Sequence, residues 1–323
     1  MKQFLLIISL LIPAFGFSIE FCSPRPLEKG DTIAIISPAS IPDKKYVERS
    51  IELLDSLGYV PVLGQNALNG FGTFSATINE RLTDLKWAFE TESIKAVLCT
   101  RGGYGSIQEL CQVDTGYFAK HPKWLIGYSD ITALHCASAT DGVRSIHSHM
   151  CEYLAGHNAN DTISTMLFNA LSSDSIQYTV PTHSLFNKYG TAHGVIVGGN
   201  LSVLNDVASS RIDILSTIDN DIILFIEDLD ENISSISRIL YRLKICGVFD
   251  RIKGLIVGDF HGYKPTKDFE TMNEMIYSIV KEYNIPVAFD FPVGHIDNNY
   301  PIVEGADATL EVEYGMVTLT MKY

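Results

Sequence analysis

The stretch Trp124-Leu-Ile-Gly-Tyr-Ser-Asp130 ends a buried apolar run at Gly127 and meets a helical pattern at Ile131. A serine on so sharp a strand-to-helix turn presents its hydroxyl at the carboxyl edge of a sheet, where open α/β sheets place their ligands. The amide that follows it, that of Asp130, points at an oxyanion. Ser129 is therefore a candidate nucleophile; its plainer role is to cap the following helix. A serine nucleophile needs a base and a group that orients the base. Glu227 stands at the carboxyl end of the apolar run Ile222-Ile-Leu-Phe-Ile226, and His295 lies in the loop after an apolar run at Val287–Asp290. Taken singly, an acid at a strand end caps a helix and a lone histidine is structural. Together they offer nucleophile, acid and base at three strand ends.

Arg101-Gly-Gly-Tyr-Gly105 follows the run Ala96–Cys99 directly. Adjacent glycines let backbone approach a ligand closely and expose its amides. The segment fits neither G-x-G-x-x-G nor a Walker pattern, so a phosphate cradle is not supported. It is better placed to give a second oxyanion donor, for which Gly103 is chosen; the alternative is a tight turn alone. His147-Ser-His149 with Cys151 and His157 competes as a metal site. No H-E-x-x-H or similar carboxylate-rich motif accompanies these residues, and no metal is expected.

The elements that must carry these residues alternate in type. Thr32–Ser37, Ala96–Cys99 and Trp124–Ile126 read as buried strands. Ile78, Leu82, Leu85 and Phe89 form a helical stripe, and a helix follows from about Ile131 to Thr140. Strands alternating with helices predict a doubly wound parallel sheet in residues 22–171. The polar stretch 172–190 reads as a connection. Residues 191–323 show strand patterns at Val195–Val197, Ile222–Ile226 and Gly254–Val257, helices near Leu201–Ala208, Ile233–Ile245 and Phe269–Tyr283, and a closing hairpin around Tyr314-Gly315.

Composition bounds the function. Of 323 residues, 38 are acidic and 24 basic, a formal net charge of −14, with 46% hydrophobic and 19% charged. Such a chain is neither disordered nor collagen-like. It has no basic surplus to neutralise phosphates, so no nucleic-acid partner is expected. Met1-Lys2 followed by the apolar run Phe4–Phe17 reads as a signal peptide over residues 1–18, which implies export to the periplasm; without a working signal the protein would be cytoplasmic. The six cysteines form no C-x-x-C pair and read as ordinary buried thiols, with one or two disulfides open if the chain is exported.

With these residues in place the sequence resembles the LD-carboxypeptidases, serine peptidases also called muramoyltetrapeptide carboxypeptidases. The likeness runs through Leu27-Glu-Lys-Gly-Asp-Thr32, Ile36-Ser-Pro-Ala-Ser40, Arg101–Gly105, Gly127–Asp130, Gly198-Gly-Asn-Leu201, Ile226-Glu-Asp228, Gly254–Asp259 and Gly294-His295. It implies Ser129 as nucleophile, His295 as base, Glu227 as its orienting acid, and the amides of Gly103 and Asp130 as oxyanion hole. It also implies a flavodoxin-like first domain, a smaller β-rich second domain, a homodimer, and no cofactor. The implied reaction removes the terminal D-alanine from murein tetrapeptides through an acyl-enzyme. A related branch hydrolyses peptidyl-nucleotide antibiotics of the microcin type, since fold and triad do not fix substrate. A reading from another class is an exported protein that binds a peptide without cleaving it. An ordinary α/β-hydrolase shares the Ser, acid, His order, but Gly-Tyr-Ser-Asp-Ile lacks the second glycine of G-x-S-x-G.

The chain departs from the family where Ser148-His149 replaces Gly-Pro, where Ser237-Arg238 replaces Asp-Arg, and at Tyr300–Gly305. A carboxypeptidase must also hold a free carboxylate, which calls for a cation or backbone amides. Arg101 is the candidate beside the glycine loop, with Arg242 and Lys244 as others. Asn200 either hydrogen-bonds the substrate or caps the helix from Leu201.

Overall fold

Long apolar runs buried on both faces become central parallel strands. The computed structural model describes residues 18–156, 161–182 and 184–323; the segment up to residue 17, expected to be a signal peptide, and His157 lie outside them. The strands in chain order are β1 (Thr32–Ile36), β2 (Val60–Leu63), β3 (Ile94–Cys99), β4 (Trp124–Gly127), β5 (Ser145–His147), β6 (Ser175–Pro181), β7 (Gly190–Asn200), β8 (Ile222–Leu229), β9 (Gly254–His261), β10 (Val287–Ala288), β11 (Ile302–Glu304), β12 (Asp307–Glu313) and β13 (Met316–Lys322).

The first sheet runs β11-β5-β4-β3-β1-β2. Its members β2-β1-β3-β4-β5 are parallel, in the flavodoxin-like order. The second runs β10-β9-β8-β7-β12-β13-β6, parallel from β10 to β7 and antiparallel beyond. The expected α/β class with a flavodoxin-like sheet is what the chain adopts.

Two features differ from the sequence reading. The stretch 172–190 holds a strand: β6 pairs along its whole length with β13. It is an edge strand with Tyr178 as its one buried residue, so its polar composition is that of a half-solvated strand. In addition β11, from the second half of the chain, joins the first sheet antiparallel to β5. Both large apolar clusters accordingly run across the two sheets: Ile35, Leu98 and Ile146 share one with Phe225, Ile256 and Leu310.

The helix Thr132–Thr140 sits in the seam between the sheets, with every residue from Thr132 to Ala139 buried. The helix Ile78–Glu90 starts with a capping box, Thr77 Oγ1 accepting from the Glu80 amide and the Glu80 carboxylate accepting from the Thr77 amide at 2.9 Å. Leu82, Leu85 and Phe89 of its expected stripe are buried, whereas Ile78 is exposed. The six cysteines are all free; Cys99, Cys136 and Cys151 are buried, but Cys22, Cys111 and Cys246 are exposed, against the expectation of uniform burial. Among the described residues no helix is long and apolar enough to cross a membrane.

Candidate active site

At the end of β4 the chain turns within two residues. Tyr128 is extended, and Ser129 has φ +64°, a left-handed conformation that costs a non-glycine residue roughly 1–2 kcal/mol. The turn is held by its successor. The Asp130 carboxylate accepts from the Ser106 amide at 2.9 Å, and the Asp130 carbonyl accepts from the Ser106 hydroxyl at 2.6 Å. Burial raises the Asp130 carboxyl above its ordinary pKa, and the Ser106 bonds oppose that.

The glycine loop lies directly against the serine. A Cβ on Gly102 would fall 2.9 Å from Ser129 Oγ, so only glycine admits this approach. Gly103 has φ +108°, and its amide donates to no partner among the described residues. Ser40 brackets the loop from β1: its amide donates to the Gly102 carbonyl at 3.3 Å, and its hydroxyl accepts from the Tyr104 amide at 3.3 Å. Beneath the loop, Arg81 and Glu109 form a fully buried ion pair at 3.1 Å. Arg81 also donates to the carbonyls of Pro38 and Gly105. The sequence reading had passed over this pair, whose only signal was an arginine on the apolar side of a helix.

Three elements converge on the serine. His295 Nε2 is 3.0 Å from Ser129 Oγ, and His295 Nδ1 is 2.7 Å from Glu227 Oε2. Glu227 lies fully buried near the carboxyl end of β8, and the His295 side chain is 13% exposed, so of the two the base alone faces the cleft. The His295 loop is fixed by Asn299, whose Oδ1 accepts from the Gly294 amide at 2.9 Å. Burial works against the His295 imidazolium; the Glu227 bond and the charges of Glu227, Asp228 and Asp259 outweigh it, and the pKa stands above 6.5. Burial raises the Glu227 carboxyl, with the His295 bond opposing. The carboxylate thus holds Nδ1–H and leaves Nε2 as acceptor toward the serine.

The cleft above the serine has a volume of about 760 Å³. Arg101 lines it beside Gly102 and Gly103, forms no ion pair among the described residues, and has its Nε buried without a hydrogen-bond partner. Arg242 and Lys244 do not reach the cleft: Arg242 donates to Asn205 Oδ1, and Lys244 pairs with Glu282 at 2.6 Å. Asn200 caps the helix from Leu201, one of the two roles weighed for it, and stands in the cleft wall. Its Oδ1 accepts from the Val203 amide as a helix cap, and its side chain lines the cleft, with Nδ2 donating to Asp228 Oδ1 at 3.0 Å.

The histidines at 147 and 149 have different neighbours. His147 packs its ring edge-on against Phe225, while His149 Nε2 donates to the Asp297 carbonyl. Among the described residues no group of three or more His, Cys, Asp or Glu side chains is arranged to hold a metal ion.

A serine, a histidine and a glutamate bonded in series across two α/β units define the class of fold and site. The chain belongs to the LD-carboxypeptidase family: the family's N-terminal domain matches residues 33–148 and its C-terminal domain residues 193–310. It is 33% identical to the "Probable murein peptide carboxypeptidase" of Bacillus subtilis (strain 168), over 91% of this chain and 92% of that one. It is 26% identical to the microcin C7 self-immunity protein of Escherichia coli, over 92% of this chain and 95% of that one. The crystal structure of muramoyltetrapeptide carboxypeptidase from Oxalobacter formigenes has the same fold. It superposes with a TM-score of 0.81 at 24% identity, covering 90% of this chain and 99% of that one.

Proposed function

We propose that the protein is a serine LD-carboxypeptidase that hydrolyses the bond to the terminal D-alanine of murein tetrapeptides. The observation that carries this reading is the hydrogen-bonded series Ser129–His295–Glu227 at the floor of a cleft whose wall holds Arg101, which has no ion-pair partner among the described residues. Ser129 Oγ attacks the scissile carbonyl as His295 Nε2 takes its proton, and Glu227 holds the imidazolium through Nδ1. The amides of Gly103 and Asp130 receive the oxyanion. The tetrahedral intermediate collapses as His295 returns the proton to the leaving amine of D-alanine. Water, deprotonated by His295, then releases the peptide from Ser129.

Arg101 takes the free carboxylate of the substrate, a charge-assisted contact that restricts cleavage to the last residue. Asn200 lines the same cleft, its side-chain amide engaged by Asp228 and Glu227 beneath the substrate. The relatives named for murein peptides and the family match support this substrate class. We further propose that the protein acts as a homodimer on exported or periplasmic peptides, a reading that rests on the family likeness and on the composition of residues 1–18.

The similarity to the microcin C7 self-immunity protein, which covers nearly all of both chains, favours hydrolysis of a peptidyl-nucleotide antibiotic as the second reading. Mass spectrometry of a murein tetrapeptide incubated with the protein and with Ser129→Ala separates the possibilities. Loss of one D-alanine with the parent alone is expected. Loss with both proteins overturns the serine mechanism. Loss with neither overturns the murein reading and directs the same assay to a peptidyl-nucleotide substrate.

A further inference from the structure

The residue just before the nucleophile packs on the base. The Tyr128 ring centroid lies 4.9 Å from that of His295, the planes tilted by 55°. Two other histidines approach the same tyrosine, His147 and His149, each at 5.8 Å and steeply inclined. We propose that Tyr128 is a positioning residue for His295: its π face fixes the imidazole between Ser129 and Glu227 and stabilises the imidazolium formed during proton transfer. The inference rests on the serine reading above and names a residue that acts within it.

The chemistry follows from the ring quadrupole. A cation within about 6 Å of an aromatic centroid is attracted to the ring face, most strongly where water is excluded. His295 is neutral in the active form of the enzyme, which can accept the serine proton, and gains its charge as that proton arrives. An attraction to the cation alone therefore lowers the barrier and leaves substrate binding unchanged. The other groups facing His295 are consistent with this. Glu227 and Asp228 from β8 and Asp259 from β9 are acids, and Ser129 is neutral. His147, from β5, is fully buried with neither ring nitrogen hydrogen-bonded among the described residues. Burial, reinforced by the charges of its histidine neighbours, holds it well below the ordinary histidine range, so it adds no second cation to the tyrosine. The Tyr128 side chain packs against the apolar core on one side and lines the cleft on the other.

The test separates ring electronics from packing. The His295 ring nitrogens are followed by NMR through a pH titration in the full-length protein, in Tyr128→Leu, and in a protein with pentafluorophenylalanine at position 128. The fluorinated ring keeps the shape of an aromatic while reversing its quadrupole. Both variants are expected to lower the titration midpoint of His295 by roughly 0.4 to 1.5 pH units, while Tyr128→Phe keeps it within a few tenths. With tetrapeptide as substrate, kcat falls about 3- to 30-fold in the first two variants and KM stays within twofold. A midpoint that is unchanged or raised by the fluorinated ring overturns the inference even where Tyr128→Leu fails to fold. The titration is independent of turnover, so it stands if the murein reading fails.

Discussion

Glu304 is the residue whose replacement probes the seam most directly. It ends β11 with no exposed surface, its Oε2 accepting from the Gly198 amide of the second sheet at 3.4 Å. Its Oε1 is 3.8 Å from His135 Nδ1, yet the contact is not an ion pair. His135 Nε2 must donate to the Gly127 carbonyl at 2.9 Å, so in the neutral ring Nδ1 accepts from the Ser145 hydroxyl at 2.8 Å. Burial lowers the His135 pKa to about 4, which keeps it in that form at neutral pH. Glu304 therefore has no cation beside it, and burial pushes its carboxyl from 4.5 up to about 8.

For an acid whose folded pKa is raised, the folded chain keeps a proton that the unfolded chain releases. Stability is highest below the unfolded value, falls as pH climbs toward the folded one, and is flat beyond it. A shift from 4.5 to about 8 amounts to about 5 kcal/mol across the window, of which roughly 3 kcal/mol is lost between pH 5.5 and 7.5. Glu304→Gln keeps the shape and cannot ionise. Urea unfolding of parent and variant at pH 5.5, 6.5 and 7.5 reads the difference, in which every other titrating group cancels. The variant is expected to gain roughly 3 kcal/mol on the parent over that range. Parallel pH dependences of the two proteins refute the argument, and with it the neutral, proton-bearing Glu304.

Two further outcomes are expected. The value of kcat/KM rises with pH through the His295 titration, because the base must be neutral to accept the serine proton; the midpoint lies above 6.5 in the parent and falls in Glu227→Gln, which removes the largest raising influence. A pH–rate profile in which the two midpoints coincide contradicts the assigned dyad. Arg81→Met leaves Glu109 buried without its partner and is expected to cost about 3–5 kcal/mol in urea unfolding, whereas Arg81→Met combined with Glu109→Leu recovers much of it.

How far the molecule can be read from its residues depends on what burial does to pattern. β1, β4 and the first five residues of β8 are buried along nearly their whole length, so each is written as an apolar run. β6 is not: an outer edge with one buried tyrosine has the composition of a loop. β11 is three residues long, and its partner β5 lies far back in the chain, so neither strand announces the pairing. The proposed nucleophile, acid and base were legible because their types recur at strand ends. That Nε2 of one loop histidine lies 3.0 Å from a serine in the other sheet is a product of the seam, which no local spacing encodes. Gly102, rather than Gly103, touches the serine, since two adjacent glycines look alike until the turn is built. Arg101, Arg242 and Lys244 were likewise equivalent as cations. Packing commits Arg242 to Asn205 and Lys244 to Glu282, and leaves Arg101 facing the cleft.

The pairing of β11 with β5 also sets an order in time. A ribosome delivers the nucleophile turn and β5 early, and β11 only about 150 residues later, roughly 8 to 30 s at ordinary elongation rates. Through that interval β5 presents an open edge, and His147 and Tyr128 lack the chain that will cover them. The serine therefore cannot meet its histidine in a nascent half-chain. The Ser129–His295 contact arrives only with the stretch that carries His295 and β11, and the same waiting edge is where a holding chaperone would have most to shield.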